Sequence, residues 1–327
     1  MLPQSFRLRL LILKSVCFCV LVFNAEAVIS LDASTAYFTA LGLGGPSDPV
    51  ADNQANRVDI ELVGRPENGL EAFYVGFNDF GTGSNTDGDW FFRTRLSGEN
   101  GSPDGEANGF FYVGIDITGD GSLDYLIEHG GSPTQQISIL RAGEGSNSPG
   151  SITLGETLFT EDVVKFDGSN ATTANSYFET VQSIDAGLTG DGTFDPYDLD
   201  GGGNKQGDLD RFLTFKVDFQ DFVDVVRADA ENGIIDDRYE LFDETFAMQM
   251  LIVTSQNGNN INSDFGGIND NEVDPNTPFH NPGDPNGGSG GLSGGVDVHG
   301  NPVPESASFA LLLGVFALFR VSRRTYR

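Results

Sequence analysis

Thiols are almost missing from this chain: its 327 residues include two cysteines, Cys17 and Cys19, both inside the first 27 residues. If that segment is removed, no disulfide and no cysteine-ligated zinc site can support the remainder, which needs another source of stability outside the cell. Basic residues are also scarce, at 18 Lys+Arg against 48 Asp+Glu, for a formal net charge of −30. Between residues 28 and 303 the imbalance sharpens to 46 acidic against 11 basic residues, a net of −35. Such a surface excludes partners whose affinity depends on neutralising phosphates, so nucleic acid is ruled out, and it requires counter-ions. Histidine is limited to His129, His280 and His299, so a Ser/His/Asp triad would have to rest on His129 alone. No HExxH, Walker or Rossmann pattern is present.

What the chain does have begins with an export signal. Arg7 and Arg9 precede an apolar stretch at 10–23, and Ala25-Glu26-Ala27 gives a small-x-small cleavage site, so the mature protein is expected to begin at Val28. Lys14 interrupts the apolar stretch, leaving a clean run at 15–23 that is far short of the roughly 20 residues a span needs. At the other end, Val303-Pro304-Glu305-Ser306 leads into a largely apolar run at 307–319, followed by Arg320, Arg323, Arg324 and Arg327. Thirteen residues are short for a stable span, and the arginines would hold the end on the cytoplasmic side, so a transient stop in the inner membrane is expected.

Motif, apolar run and basic end together resemble the PEP-CTERM sorting domains of Gram-negative bacteria, over about 25 residues. Pro304-Glu305-Ser306 stands where that family has Pro-Glu-Pro. The resemblance implies processing by an exosortase-type enzyme and delivery to the cell envelope, cell surface or exopolysaccharide matrix. It implies an address and leaves the activity open.

Between the ends, short segments rich in β-branched and aromatic residues occur at 57–63, 71–77, 90–96, 110–115, 123–127, 137–141, 177–184, 212–217 and 246–254. Gly-rich turns separate them without βαβ alternation, which predicts a mainly β fold: an antiparallel β-sandwich with long acidic loops. The topology stays open, a jelly roll among the options. One short helix is expected after Asp218, whose side chain can cap it, with Phe219, Phe222, Val223 and Val226 on one face and Glu231-Asn232-Gly233 as its stop. Residues 28–256 are assigned to the sandwich, 257–302 to a flexible Gly/Asn/Pro-rich spacer and 303–327 to the sorting tail.

The sharpest chemical motif is Asp116-Ile-Thr118-Gly-Asp120-Gly121-Ser122-Leu-Asp124, set between two predicted strands. Oxygen ligands at positions 1, 3, 5 and 9, a carbonyl at 7 and glycine at 6 are what calcium requires. The motif resembles the Asp-x-Asn-x-Asp-Gly-x-x-Asp loops of secreted bacterial β proteins; Ile127 at position 12 and the neutral Thr118 at position 3 depart from an EF-hand. Three carboxylates on nine residues repel one another unless a cation relieves them. The alternative is an acidic turn with solvated carboxylates.

An internal echo, Leu188-Thr-Gly-Asp191-Gly-Thr-Phe-Asp195, begins with Gly187 where the first carboxylate should stand, so Asp185, Asp198, Asp200, Asp208 or Asp210 would have to supply it. Asp87-Gly-Asp89 has too few spaced ligands and reads as an ordinary turn. The G-x-S-x-G strings around Ser289 and Ser293 arise from glycine-rich composition. Tyr74, Trp90, Phe91 and Tyr112 would serve a carbohydrate-binding surface if exposed, and core packing if not. The leading expectation is a non-enzymatic exported protein that binds calcium. The alternative is an extracellular carbohydrate-binding module or weak glycoside hydrolase.

Overall fold

The computed structural model describes residues 29–42, 58–64, 70–97, 109–131, 135–181, 210–258, 261, 264–266, 276–279 and 292–303. Two antiparallel sheets face each other, and the predicted β-sandwich with one α-helix is what forms. The first sheet has the order β1-β2-β3-β9-β8, from β1 (Thr39–Ala40), β2 (Phe73–Asn78), β3 (Asp89–Leu96), β9 (Asp210–Asp218) and β8 (Ser176–Val181). The second has the order β11-β10-β4-β5-β6-β7, from β11 (Asp264–Phe265), β10 (Gln249–Ser255), β4 (Phe110–Asp116), β5 (Tyr125–His129), β6 (Gln136–Ala142) and β7 (Leu154–Asp162).

Side-chain alternation divides each strand between two apolar layers. Phe73, Val75, Phe77, Trp90, Phe92, Phe215 and Val217 from the first sheet meet Phe111, Val113, Ile115, Tyr125, Ile127, Met250 and Ile252 from the second in the central core. The residues between them are buried as well. Tyr74, Phe91 and Phe212 pack outward against Leu31, Phe38 and Ala174. Phe110, Tyr112, Leu126, Leu251 and Val253 pack outward against Ile152, Ile261, Phe265, Phe279 and Leu292.

Helix α1 (Phe219–Glu231) starts at Asp218, whose Oδ1 accepts the Gln220 N–H at 2.9 Å, and stops at Asn232 followed by Gly233 at φ +70°. The predicted face of Phe219, Phe222, Val223 and Val226 enters the central core. Asp229 fixes the far end, accepting from the Tyr125 hydroxyl at 3.0 Å and from Arg141 Nη2 at 2.7 Å.

Two expectations need correction. The segment at 57–63 forms a 3-10 turn over Val58–Ile60, with only a bridge from Leu62 to Leu96. The larger change concerns 257–302. Its described residues belong to the fold: Phe265 lies in β11, and Ile261, Phe279, Leu292, Val296 and Val298 are all buried. Residues 292–303 form a strap that joins the two sheets. Ser293 N–H donates to the Met250 carbonyl at 2.7 Å and Met248 bridges Val296, while the Trp90 indole N–H donates to the Val298 carbonyl at 3.1 Å. The sandwich therefore runs to Val303, whose N–H donates to the Gly295 carbonyl at 2.9 Å. Glycine and asparagine between these apolar residues gave the segment the composition of a linker.

At about 1.5 kcal/mol or more per buried side chain, losing these six apolar residues removes on the order of 10 kcal/mol, comparable to the whole stability of a typical domain. A chain spanning 28–256 is thus expected to lack a cooperative thermal transition by near-UV circular dichroism, whereas one spanning 28–303 keeps it.

Candidate functional site

The 116–124 loop is the turn of the β4–β5 hairpin. Ile117 and Leu123 anchor it from both sides, each 4% exposed. The Tyr239 hydroxyl donates to the Ile117 carbonyl at 2.6 Å, and the Leu123 N–H donates to the Ser146 carbonyl at 2.9 Å. Gly119 and Gly121 take φ values of +74° and +83°, a backbone region that a side chain would oppose. Asp116, the last residue of β4, is fully buried. Its Oδ1 accepts from the Gly119 N–H at 2.6 Å and the Thr118 hydroxyl at 3.1 Å, and its Oδ2 from the Gly121 N–H at 2.8 Å. Asp124 accepts the N–H groups of Ile117 (2.8 Å) and Thr118 (3.1 Å), both on Oδ2. Asp120 is exposed, and its Oδ1 accepts the Ser122 N–H at 2.8 Å.

Burial raises the pKa of the Asp116 carboxyl even though these bonds favour its charged form. Asp124 is pushed up to about 6, first by burial and next by the neighbouring Asp116 charge. Among the described residues, no lysine or arginine forms an ion pair with Asp116, Asp120 or Asp124. Loop amides therefore hold the carboxylates without cancelling their repulsion. Also among the described residues, no three His, Cys, Asp or Glu side chains converge closely enough to hold a metal ion, because Asp120 turns outward. Asp116 and Asp124 face each other's charge, and Asp120 lies near enough to both to add to that repulsion.

Asp191, Asp195, Asp198 and Asp200 lie outside the described residues, as do Asp185, Asp208, Ala25, Ala27, Pro304 and Glu305. Asp210 pairs with Arg95 at 2.8 Å, and Val303 ends the strap. Asp89 pairs with Lys216 and Asp87 neighbours it, so this acidic turn is an ordinary ion-paired corner. Sequence reasoning missed Tyr239; a partner 122 residues from Ile117 leaves no local signal.

The four aromatics considered for sugar stacking are buried: Tyr74 at 4%, Trp90 at 0%, Phe91 at 2% and Tyr112 at 0% exposure. His129 is buried as well. Its Nε2 lies 2.8 Å from Ser176 Oγ across the two sheets, amid the rings of Phe111, Phe178 and Phe215. Ser293 is a buried pin, its Oγ accepting from the Met250 N–H at 2.9 Å. No helix among the described residues is long and apolar enough to cross a membrane. No family model, curated protein or solved structure matches the chain.

Two pH effects of opposite sign follow. A carboxyl whose folded pKa is raised contributes stability at low pH that is lost as pH rises, here from about 4 to about 6 for Asp124. In metal-free protein at pH 7, Asp124→Asn is expected to raise stability by up to about 2 kcal/mol, an advantage that vanishes by pH 4 in urea titrations. Burial lowers the His129 pKa to about 4, so its contribution is full above about 6.5 and is lost as pH falls toward 4. Over that window His129 accounts for roughly 3 kcal/mol, and His129→Gln should flatten the acid limb of the urea midpoint by that amount.

Proposed function

We propose that this protein is an exported β-sandwich that binds calcium at the 116–124 loop. Its role is one of binding or structure rather than catalysis, at the cell surface or in the exopolysaccharide matrix of a Gram-negative bacterium, after an exosortase-type enzyme has processed its tail. The observation that carries the calcium reading is the pairing of Asp116 with Asp124: one buried and one half-buried carboxylate that repel each other on a hairpin turn, without a basic partner among the described residues. Asp120 completes a ligand set by turning inward. It is exposed and held only by the Ser122 N–H, so that rotation disturbs nothing in the core. Thr118 and Ser122 add hydroxyl oxygens on the same turn. All of these donors are hard oxygens, the set that suits calcium over softer metals.

The surrounding chemistry supports the same reading. A fold with no cysteine after residue 19 gains stability from an ion that ties together the two ends of a hairpin turn, and a strongly acidic chain attracts divalent counter-ions. A site that binds only the folded state adds about 2.7 kcal/mol at a hundredfold excess of ion over Kd. For a domain of this size that corresponds to a rise in Tm of roughly 5–10 °C.

A chain spanning 28–303, stripped with chelator and melted across a calcium titration, is expected to show that saturable rise, with magnesium giving little. Asp120→Ala and Asp124→Ala should each remove most of it. An unchanged Tm at millimolar calcium would make the loop an acidic turn with solvated carboxylates.

A further inference from the structure

The strap changes where this protein stands relative to a membrane. Folded structure continues to Val303, and the apolar run begins at Ala307. Four residues of fully extended chain span at most about 14 Å, so insertion of that run brings a bilayer surface within this distance of Val303.

The end of the sandwich near Val303 is well defined. The strap contacts Phe77 through His299, whose ring centroid lies 5.0 Å from the phenyl ring, and Trp90 through Val298. β2 ends one residue beyond Phe77, and the chain then enters a tight turn. The Asp79 carbonyl accepts from the Thr82 N–H at 3.1 Å, with Phe80 at φ +54° and Gly81 at φ +69°. Two positive φ values in succession define a type I′ turn, where Asn, Asp or Gly normally occupies the first central position. Phenylalanine occupies it here, in a backbone conformation that opposes its side chain, and is 57% exposed. Among the described residues, Phe80 packs in none of the three apolar clusters. Strain held at an exposed aromatic points to a contact outside the domain.

We propose that this end of the sandwich, with the strap and the Phe80 turn, is the face that rests on a lipid bilayer while the tail is inserted, and that Phe80 enters the interface. The proposal rests on the reading of the tail as a membrane segment. Phenyl rings gain from burial at the boundary between headgroups and acyl chains. The charge at this end selects the kind of surface. Asp79, Asp243 and Asp297 surround Glu244, whose pKa is raised first by burial and then by these charges, with His299 opposing them. An acidic rim is repelled by anionic lipid and tolerates zwitterionic headgroups.

Trp90 is the only tryptophan in the chain and bonds to the strap, which makes it a natural energy donor. The full chain would be reconstituted in phosphatidylcholine vesicles carrying a dansyl-labelled headgroup, with flotation to measure association. Strong transfer from Trp90 is expected. A Gly/Ser insertion of about 20 residues between Val303 and Pro304, with a root-mean-square length of about 25 Å, should lower it several-fold while flotation stays unchanged. Phe80→Trp in the uninterrupted chain should add an emission component that lipids brominated on the acyl chains quench. Flotation with equal transfer from both chains, or an added component that resists quenching, would overturn the proposal. A chain that does not float would overturn the membrane reading of the tail itself.

Discussion

Phe222 holds the two sheets in one structure. Its ring centroid lies 5.4 Å from Trp90 in the first sheet, 5.5 Å from Tyr125 in the second and 5.7 Å from Phe242 beyond the helix. Sandwiches close by interdigitating their inner faces, and here helix α1 enters that space and supplies the shared side chain. The position of the helix is fixed at both ends, by the Asp218 cap where β9 stops and by Asp229 against Arg141 and Tyr125. Tyr125 contacts Phe222 with its ring and Asp229 with its hydroxyl. The residue before it is Asp124, so the placement of the helix and the placement of the acidic loop are consequences of one packing arrangement.

A chain so short of cations uses them internally. The Arg93 guanidinium is fully buried, lying 4.0 Å from the Phe38 ring and donating to Thr35, Thr214 and the Leu31 carbonyl, which pins the 29–38 segment onto the first sheet. Arg95 pairs with Asp210, Arg141 with Asp229 and Glu156, and Lys216 with Asp89, while Arg227 donates to the Phe242 carbonyl. These contacts join elements distant in sequence, as disulfides do in many secreted proteins, and removing one partner of a buried pair is costly. The surface is left with most of the carboxylates. Their repulsion weakens with ionic strength and is relieved most effectively by divalent ions.

Features with local causes were legible in the sequence. Aromatic and β-branched runs marked β2, β3, β4, β6, β9 and β10, and the cap with its apolar spacing marked α1. The 116–124 turn and its flanking strands followed from glycine and aspartate spacing. β7 was not legible, because Leu-Gly-Glu-Thr-Leu-Phe-Thr-Glu-Asp shows no alternation. It is an edge strand, mostly exposed, set by its ladder to β6 and the irregularities near Leu140. The pairing of Asp116 with Asp124 was readable from spacing. The outward turn of Asp120 and the Tyr239 clasp depend on tertiary contacts and were not.

The strap could have been inferred by a different route. Phe-Phe-Tyr-Val-Gly-Ile-Asp in β4 and Gln-Met-Leu-Ile-Val-Thr-Ser in β10 do not alternate between apolar and polar residues; they are apolar on both faces, and both strands are buried throughout. A sheet with one solvated face requires alternation, so such strands demand a cover on the outside as well. That cover had to come from chain assigned to loops, and Phe279 and Leu292 supply part of it. The same segment then turns inward to Val296 and Val298, and Val296 bridges Met248, the residue before Gln249, which lies opposite Asp116 in the β10–β4 ladder. The acidic loop and the strap therefore meet at the start of β10. A cation bound at Asp116 would stabilise the strands on which the strap is seated, which couples the state of the loop to how firmly the chain is held where its tail departs.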